Sequence, residues 1–198
     1  MGTRSIILIR KRYPKEISSA TKSFLKGPDE SQYIYEYFVY MYQETDNDDM
    51  GEWIAEFLCN FLRDYSSKYM DAGFLAAKFV EAFMDRDTSC KCLLPLAPLD
   101  ELYHYEHHEI YFITTDSARK FFDDKSIVLT LHRNCIISAW PEKFMTKYLQ
   151  NAERMKESRI QNEVIDYGDK ELEKEGYLAE DRLLTKFLNK KFNMQHRR

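Results

Sequence analysis

The segment YIYEYFVYMY, residues 33–42, is followed after a short acidic stretch by MGEWIAEFLCNFL, residues 50–62, and the change of pattern between them decides the fold. The first segment is dense in Tyr, Ile, Phe and Val, the composition of a strand. From Met50 the period changes. Met50, Trp53, Ile54, Phe57, Leu58, Phe61 and Leu62 recur at helix spacing and form one wide apolar stripe. Asp48 and Asp49 stand at the expected start of that helix, where negative charge complements the helix dipole.

Upstream, Ile6, Ile7, Leu8 and Ile9 form a continuous aliphatic run, which reads as a strand buried on both faces. It is expected to pair with the Tyr-rich strand. The stretch between them, with Pro14, Gly27 and Pro28, then serves as a long hairpin connection. Downstream, Asp71 to Met84 reads as a second helix. Its small Ala72, Ala76 and Ala77 alternate with the large Phe74, Leu75, Phe79 and Phe83, so it is expected to lie close to its neighbours. Strands return at Cys92–Leu96, Tyr103–Thr114, Ile127–Leu131 and Cys135–Ala139, the last two flanking a turn at His132-Arg133-Asn134. Strands and helices grouped in this way predict an α+β fold: an antiparallel sheet with two central helices packed on it.

Beyond Trp140 and Pro141 the composition becomes charged. Phe144, Met145, Tyr148 and Leu149 begin an amphipathic helix, and Leu184, Phe187, Leu188 and Phe192 mark another. The expected division is an α+β domain over residues 1–140 and a charged helical extension over residues 141–198. The extension is assigned to self-association or partner docking.

A hydrophobic fraction of 44% in 198 residues suffices for a core. The 14 Tyr and 13 Phe exceed what a core alone needs and point to flat contact surfaces as well. A net charge of -4 disfavours nucleic acid as a partner, because duplex binding draws on Lys and Arg neutralising phosphates. The run Arg10-Lys11-Arg12 is the one local basic patch near the N-terminus. The apolar run at Ile6–Ile9 is too short for a membrane span, so a cytoplasmic, membrane-free protein is expected. The 4 cysteines then stay reduced. Cys90 and Cys92 have Cys-x-Cys spacing without a second pair to complete a zinc site.

The opening Gly2-Thr3-Arg4-Ser5, followed by an apolar strand, resembles a family of small uncharacterised proteins from phages, bacteria and some fungi. Later blocks resemble it in the same order. Tyr40 to Gln43 leads into a loop, Gly51 precedes Ile54-Ala55-Glu56-Phe57-Leu58, and Gly73-Phe74-Leu75-Ala76-Ala77 is followed by Phe79, Val80 and Phe83. A Tyr- and His-rich strand near Tyr103 to Ile113 is similar too. The resemblance covers about the first 115 residues. The family's Asp-Gly-Tyr-Pro loop is replaced here by Thr45-Asp46-Asn47-Asp48-Asp49. The resemblance implies a fold, a phage-type accessory role directed at a host or defence component, and no reaction.

The candidate ligand or partner surface comprises Thr3, Arg4 and Ser5 at the start of the first strand, with Tyr40, Tyr42, Gln43 and Asp46 at the end of the second. The tyrosines offer two strand faces, Tyr33, Tyr35 and Tyr37 on one and Tyr40 and Tyr42 on the other. Tyr is favoured at protein interfaces. The sharpest chemical constellation is His104, Glu106 and His108. On a strand these three share a face and form a His-carboxylate-His set suited to a divalent metal. No P-loop, dinucleotide fingerprint or nucleophile elbow is present in the sequence. The functional expectation is a non-enzymatic protein-binding or ligand-sequestering accessory protein with no cofactor. The alternative is a metal-dependent hydrolase or nuclease joining His104, Glu106 and His108 to Asp46 or Asp48.

Overall fold

The structure is a computed structural model. It describes residues 3–15, 32–45, 49–86, 90–95, 109–132, 136–157, 176–177, 179–180, 182–184 and 186. In chain order the elements are β1 (Thr3–Pro14), β2 (Tyr33–Thr45), α1 (Met50–Asp64), α2 (Ala72–Asp85), β3 (Cys90–Leu94), β4 (Glu109–Asp116), β5 (Ile127–His132), β6 (Ile136–Ala139) and α3 (Pro141–Glu157). The alternation of strands and helices is the expected one. The Tyr- and His-rich strand is described only from Glu109, so His104, Glu106 and His108 lie outside the described residues, as do Asp46, Asp48 and Cys135.

One six-stranded sheet runs in the order β3-β2-β1-β4-β5-β6. It is mixed, which corrects the antiparallel expectation: β1 and β4 pair in parallel, from Ser5 with Glu109 to Arg12 with Asp116. The other ladders are antiparallel. Grouping of strands along the chain does not say which ones become neighbours. Here β3 caps β2 at the edge, and the chain then passes to the far side of β1. The aliphatic run at Ile6–Ile9 carries the trace of this arrangement, since a strand central to a covered sheet needs apolar residues on both faces. Ile6, Ile7, Leu8 and Ile9 are all fully buried.

Three helices, rather than two, cover the first face. Ile7, Ile9, Met41, Tyr111, Ile113, Leu129, Leu131 and Ile137 of the sheet pack with α1 through Ile54, Leu58 and Phe61, with α2 through Leu75, Phe79 and Phe83, and with α3 through Phe144 and Tyr148. The helix that begins at Pro141, α3, therefore contributes to the same core. A Cβ on Gly51 would stand 2.6 Å from the Tyr148 ring, so glycine is what lets α1 and α3 approach this closely. Asp71 caps α2 by accepting from Gly73 N–H at 2.8 Å. Asp49 makes no side-chain cap for α1 and instead pairs with Arg86 at 3.3 Å, while Arg86 also covers the Trp53 ring at 4.5 Å.

The second face is more polar, and a bulge shapes it. The β1/β2 register shifts between Ile9 and Arg10, pairing Ile9 with Val39 but Arg10 with Tyr37. Phe38 is the extra residue, and it packs with the first-face core. Tyr35, Tyr37 and Tyr40 consequently share one cluster, with Tyr33 and Tyr42 against it. The two-faced tyrosine arrangement expected from strict alternation is thus folded onto a single face. Tyr37 and Tyr40 meet edge to face with centroids 5.5 Å apart. Arg10 and Arg12 lie in this layer, 3% and 2% exposed, so the expected basic patch is internal. The Arg10 guanidinium sits between the rings of Tyr35, at 4.1 Å, and Phe112, at 4.2 Å, and its Nε donates to Thr114 Oγ1 at 2.9 Å. Arg12 sits between Tyr33, at 4.2 Å, and Tyr177, at 3.4 Å, and its Nε donates to Asp116 Oδ2 at 2.9 Å. Residues near the C-terminus close this face: Leu184 joins the tyrosine cluster, and Tyr177 packs with Val128 and Trp140.

Candidate functional site

Strand direction gathers most of the expected ligand or partner residues at one end of the sheet. β2 runs antiparallel to β1 and β4 runs parallel to it, so the end of β2 and the start of β4 both flank the start of β1. Thr3 pairs with Thr45, Arg4 with Glu44, and Ser5 lies between Gln43 and Glu109. Arg4 Nε and Glu44 Oε1 are 3.4 Å apart, a half-exposed pair in the same row. Tyr42, on the same face of β2 as Glu44, is half-buried, and Tyr40 is fully buried two residues further in.

Ser5, Gln43 and Glu109 are themselves buried. Ser5 Oγ donates to Glu109 Oε2 at 3.3 Å, and the Tyr111 hydroxyl donates to the same oxygen at 2.7 Å. Burial, then the nearby Glu109 charge, pushes the Tyr111 hydroxyl well above its ordinary value. Among the described residues no group reaches either polar atom of the Gln43 side chain. A buried amide left in this state costs about 1–3 kcal/mol per unmet group. A surface partner approaching this end meets Thr3, Arg4, Glu44 and Tyr42, with the Ser5–Glu109 cluster behind them.

Among the described residues the most exposed aromatic side chains lie elsewhere. Tyr69 is 74% exposed and Phe121 is 53% exposed. They face each other across an isolated antiparallel bridge between the α1–α2 connection and the β4–β5 loop. Their rings meet edge to face with centroids 6.3 Å apart. Main-chain bonds hold this clip: Ser67 N–H donates to Phe122 O at 3.0 Å, Phe122 N–H to Lys68 O at 2.9 Å, and Met70 N–H to Lys120 O at 2.8 Å. Alternation then turns Met70 and Phe122 inward, where both are buried, while Tyr69 and Phe121 turn outward. Phe122 is anchored edge to face on Phe61 at 4.9 Å. Ser67 occupies the left-handed region at φ 64°, a strained position held in place by its bond to Phe122. Phe74, 36% exposed, extends the aromatic surface through Tyr65 at 5.0 Å. Lys68, Asp71, Lys120 and Asp123 are exposed around it, a rim of both signs. On the loop's other side, Asp123 and Asp124 line a cleft of about 640 Å³ with Cys59, Arg63 and Glu142.

Neither Tyr69 nor Phe121 stands out in the sequence by motif or period. The available signal is an aromatic residue in a polar turn segment, Ser66-Ser67-Lys68-Tyr69, and a Phe-Phe doublet, Phe121-Phe122, whose members point to opposite sides. Among the described residues no group of three or more His, Cys, Asp or Glu side chains is placed to hold a metal ion, and no helix is long and apolar enough to cross a membrane. No protein-family model, curated protein or solved structure matches the chain.

Proposed function

We propose that the chain is a non-enzymatic protein-binding accessory protein whose partner docks on the Tyr69–Phe121 clip. The observation that carries this reading is the exposure of two rings on a backbone clip whose inward residues are locked into the core. Covering a large apolar side chain is worth about 1.5–3 kcal/mol. Leaving two such rings in water on a fixed platform suits a contact hot spot ringed by charge. The family resemblance adds the kind of partner, a host or defence component met by a phage-type accessory factor. The test is a Tyr69→Ala/Phe121→Ala variant, which removes two side chains that lie outside the core. Cross-linking and mass spectrometry in host extract should recover a partner with the unaltered chain and lose it with the variant. A Leu149→Ala control, at another exposed apolar position, should keep it. A partner retained by the double variant, with its thermal melting unchanged, would place the contact elsewhere.

A second reading keeps the metal-dependent hydrolase or nuclease. It is favoured by chain connectivity: Thr45, which precedes Asp46, and Glu109, which follows His108, flank the same end of β1. This reading requires a stoichiometric divalent metal in untagged protein. Metal analysis showing none, together with no gain in melting temperature on adding zinc or manganese, would remove it.

A further inference from the structure

Cys90 and Cys92 are free thiols two residues apart on β3, so their side chains project to the same face of the sheet edge. Register sets them opposite Glu44 and Tyr42 of β2. Cys90 is exposed and Cys92 half-buried, so this short row opens to solvent at one end and rests on the sheet at the other. The register therefore sets the Cys92 side chain beside Tyr42 and the Cys90 side chain beside Glu44 on one face.

We propose that Cys90 and Cys92 form a two-coordinate thiolate site for a soft monovalent cation of the Cu(I) type. Alternate residues on a strand stand roughly 6.6 Å apart at Cα. Metal–thiolate bonds of about 2.3 Å let two such sulfurs converge on one ion between them. The donor set selects the cation. Two sulfurs satisfy a soft cation, whereas a structural zinc asks for four ligands. The nearest carboxylate in the row, Glu44, is engaged with Arg4 at 3.4 Å, and the described residues supply no third His, Cys, Asp or Glu ligand. In binding, two thiols release two protons and two sulfur–metal bonds form. No electron is transferred, and the complex carries one negative charge, with the Arg4 guanidinium in the adjacent rows.

The experiment is an anaerobic titration of the full chain, kept reduced, with Cu(I) held by a competing chelator and followed by thiolate-to-metal absorption. A Cys59→Ser/Cys135→Ser variant should bind one equivalent as the unaltered chain does, with release of protons. Cys90→Ser and Cys92→Ser should each lose that equivalent while keeping the circular dichroism spectrum. Zn(II) should not compete for it. Stoichiometric binding that survives both β3 substitutions, no binding against the chelator, or equal competition by Zn(II) would each overturn the assignment.

Discussion

His132 ends β5 on the second face, its ring edge to face with Phe112 at 5.4 Å and 8% of the residue exposed. Burial, and after it the positive charge of Arg10, pushes its imidazole from 6.5 down to about 3. The folded protein therefore keeps His132 neutral over a range in which the unfolded chain protonates it. The unfolded state binds more protons there, so stability rises with pH across the window and is lost as pH falls from 6.5 toward 3. By linkage the loss approaches about 1.4 kcal/mol for each pH unit below the unfolded value. A His132→Phe variant keeps an aromatic ring beside Phe112 and removes this slope. Urea unfolding at pH 7 and pH 5 should show the unaltered chain losing about 2 kcal/mol more than the variant. Equal losses would mean that His132 protonates inside the fold. The burial of this layer was partly legible in the sequence. Arg10 and Arg12 share the parity of Ile6 and Leu8, but the strand reading covers only Ile6–Ile9 and takes the basic run as a local patch. A run of three basic residues instead reads as solvated surface, and the groups that provide for the buried charges, among them Asp116, Thr114, Phe112 and the tyrosine rings, are remote in sequence.

At the scale of elements, the strongest periodic signals were the readable ones. The stripe from Met50 to Leu62 is α1, the Asp71 cap starts α2, and the Tyr-rich run is β2. What local pattern could not carry is pairing. The parallel β1–β4 ladder joins residues 104 positions apart, as in Ser5 with Glu109, and no local propensity encodes such a contact. The bulge at Phe38 belongs to the same class. One inserted residue inverts the parity of everything before it, so alternation counted from Tyr40 misplaces Tyr33, Tyr35 and Tyr37. The candidate residues divide along this line. Ser5 and Gln43 fall in one candidate surface, from the ends of two strands expected to pair, and the register makes them direct neighbours. Tyr69 and Phe121 became a pair only through a bridge between two connections, each of which reads as an ordinary turn.

For the whole molecule, the asymmetry between the two faces has a consequence for the C-terminal residues. Three helices cover the first face, while the described cover of the second includes Tyr177 and Leu184, 4% and 3% exposed. Tyr177 stacks on Arg12 and donates to Asp116 Oδ2 at 3.3 Å, and Glu180 Oε1 accepts from Gln32 N–H at 3.1 Å, beside the base of the β1–β2 hairpin. The proposed role of the region after Pro141 in self-association or docking must be tested with this packing in mind. A truncation after Ala139 removes Phe144 and Tyr148 from the core and should fail to fold, whatever the region binds. A truncation before Gly176 keeps α3 and removes the described cover over Arg12 and the tyrosines, with the Tyr177 packing on Val128 and Trp140 and the Glu180 bond to Gln32. Each large side chain withdrawn is worth about 1.5–3 kcal/mol, so this shorter truncation should lower the unfolding free energy by about 3–6 kcal/mol. Tyr177→Ala alone should cost a large part of that, because it also leaves Arg12 and Asp116 less covered. Light scattering on the same variants separates the two roles. If the segment acts only within its own chain, mass per particle stays constant while stability falls. A drop in particle mass at unchanged stability would assign it to a contact between chains.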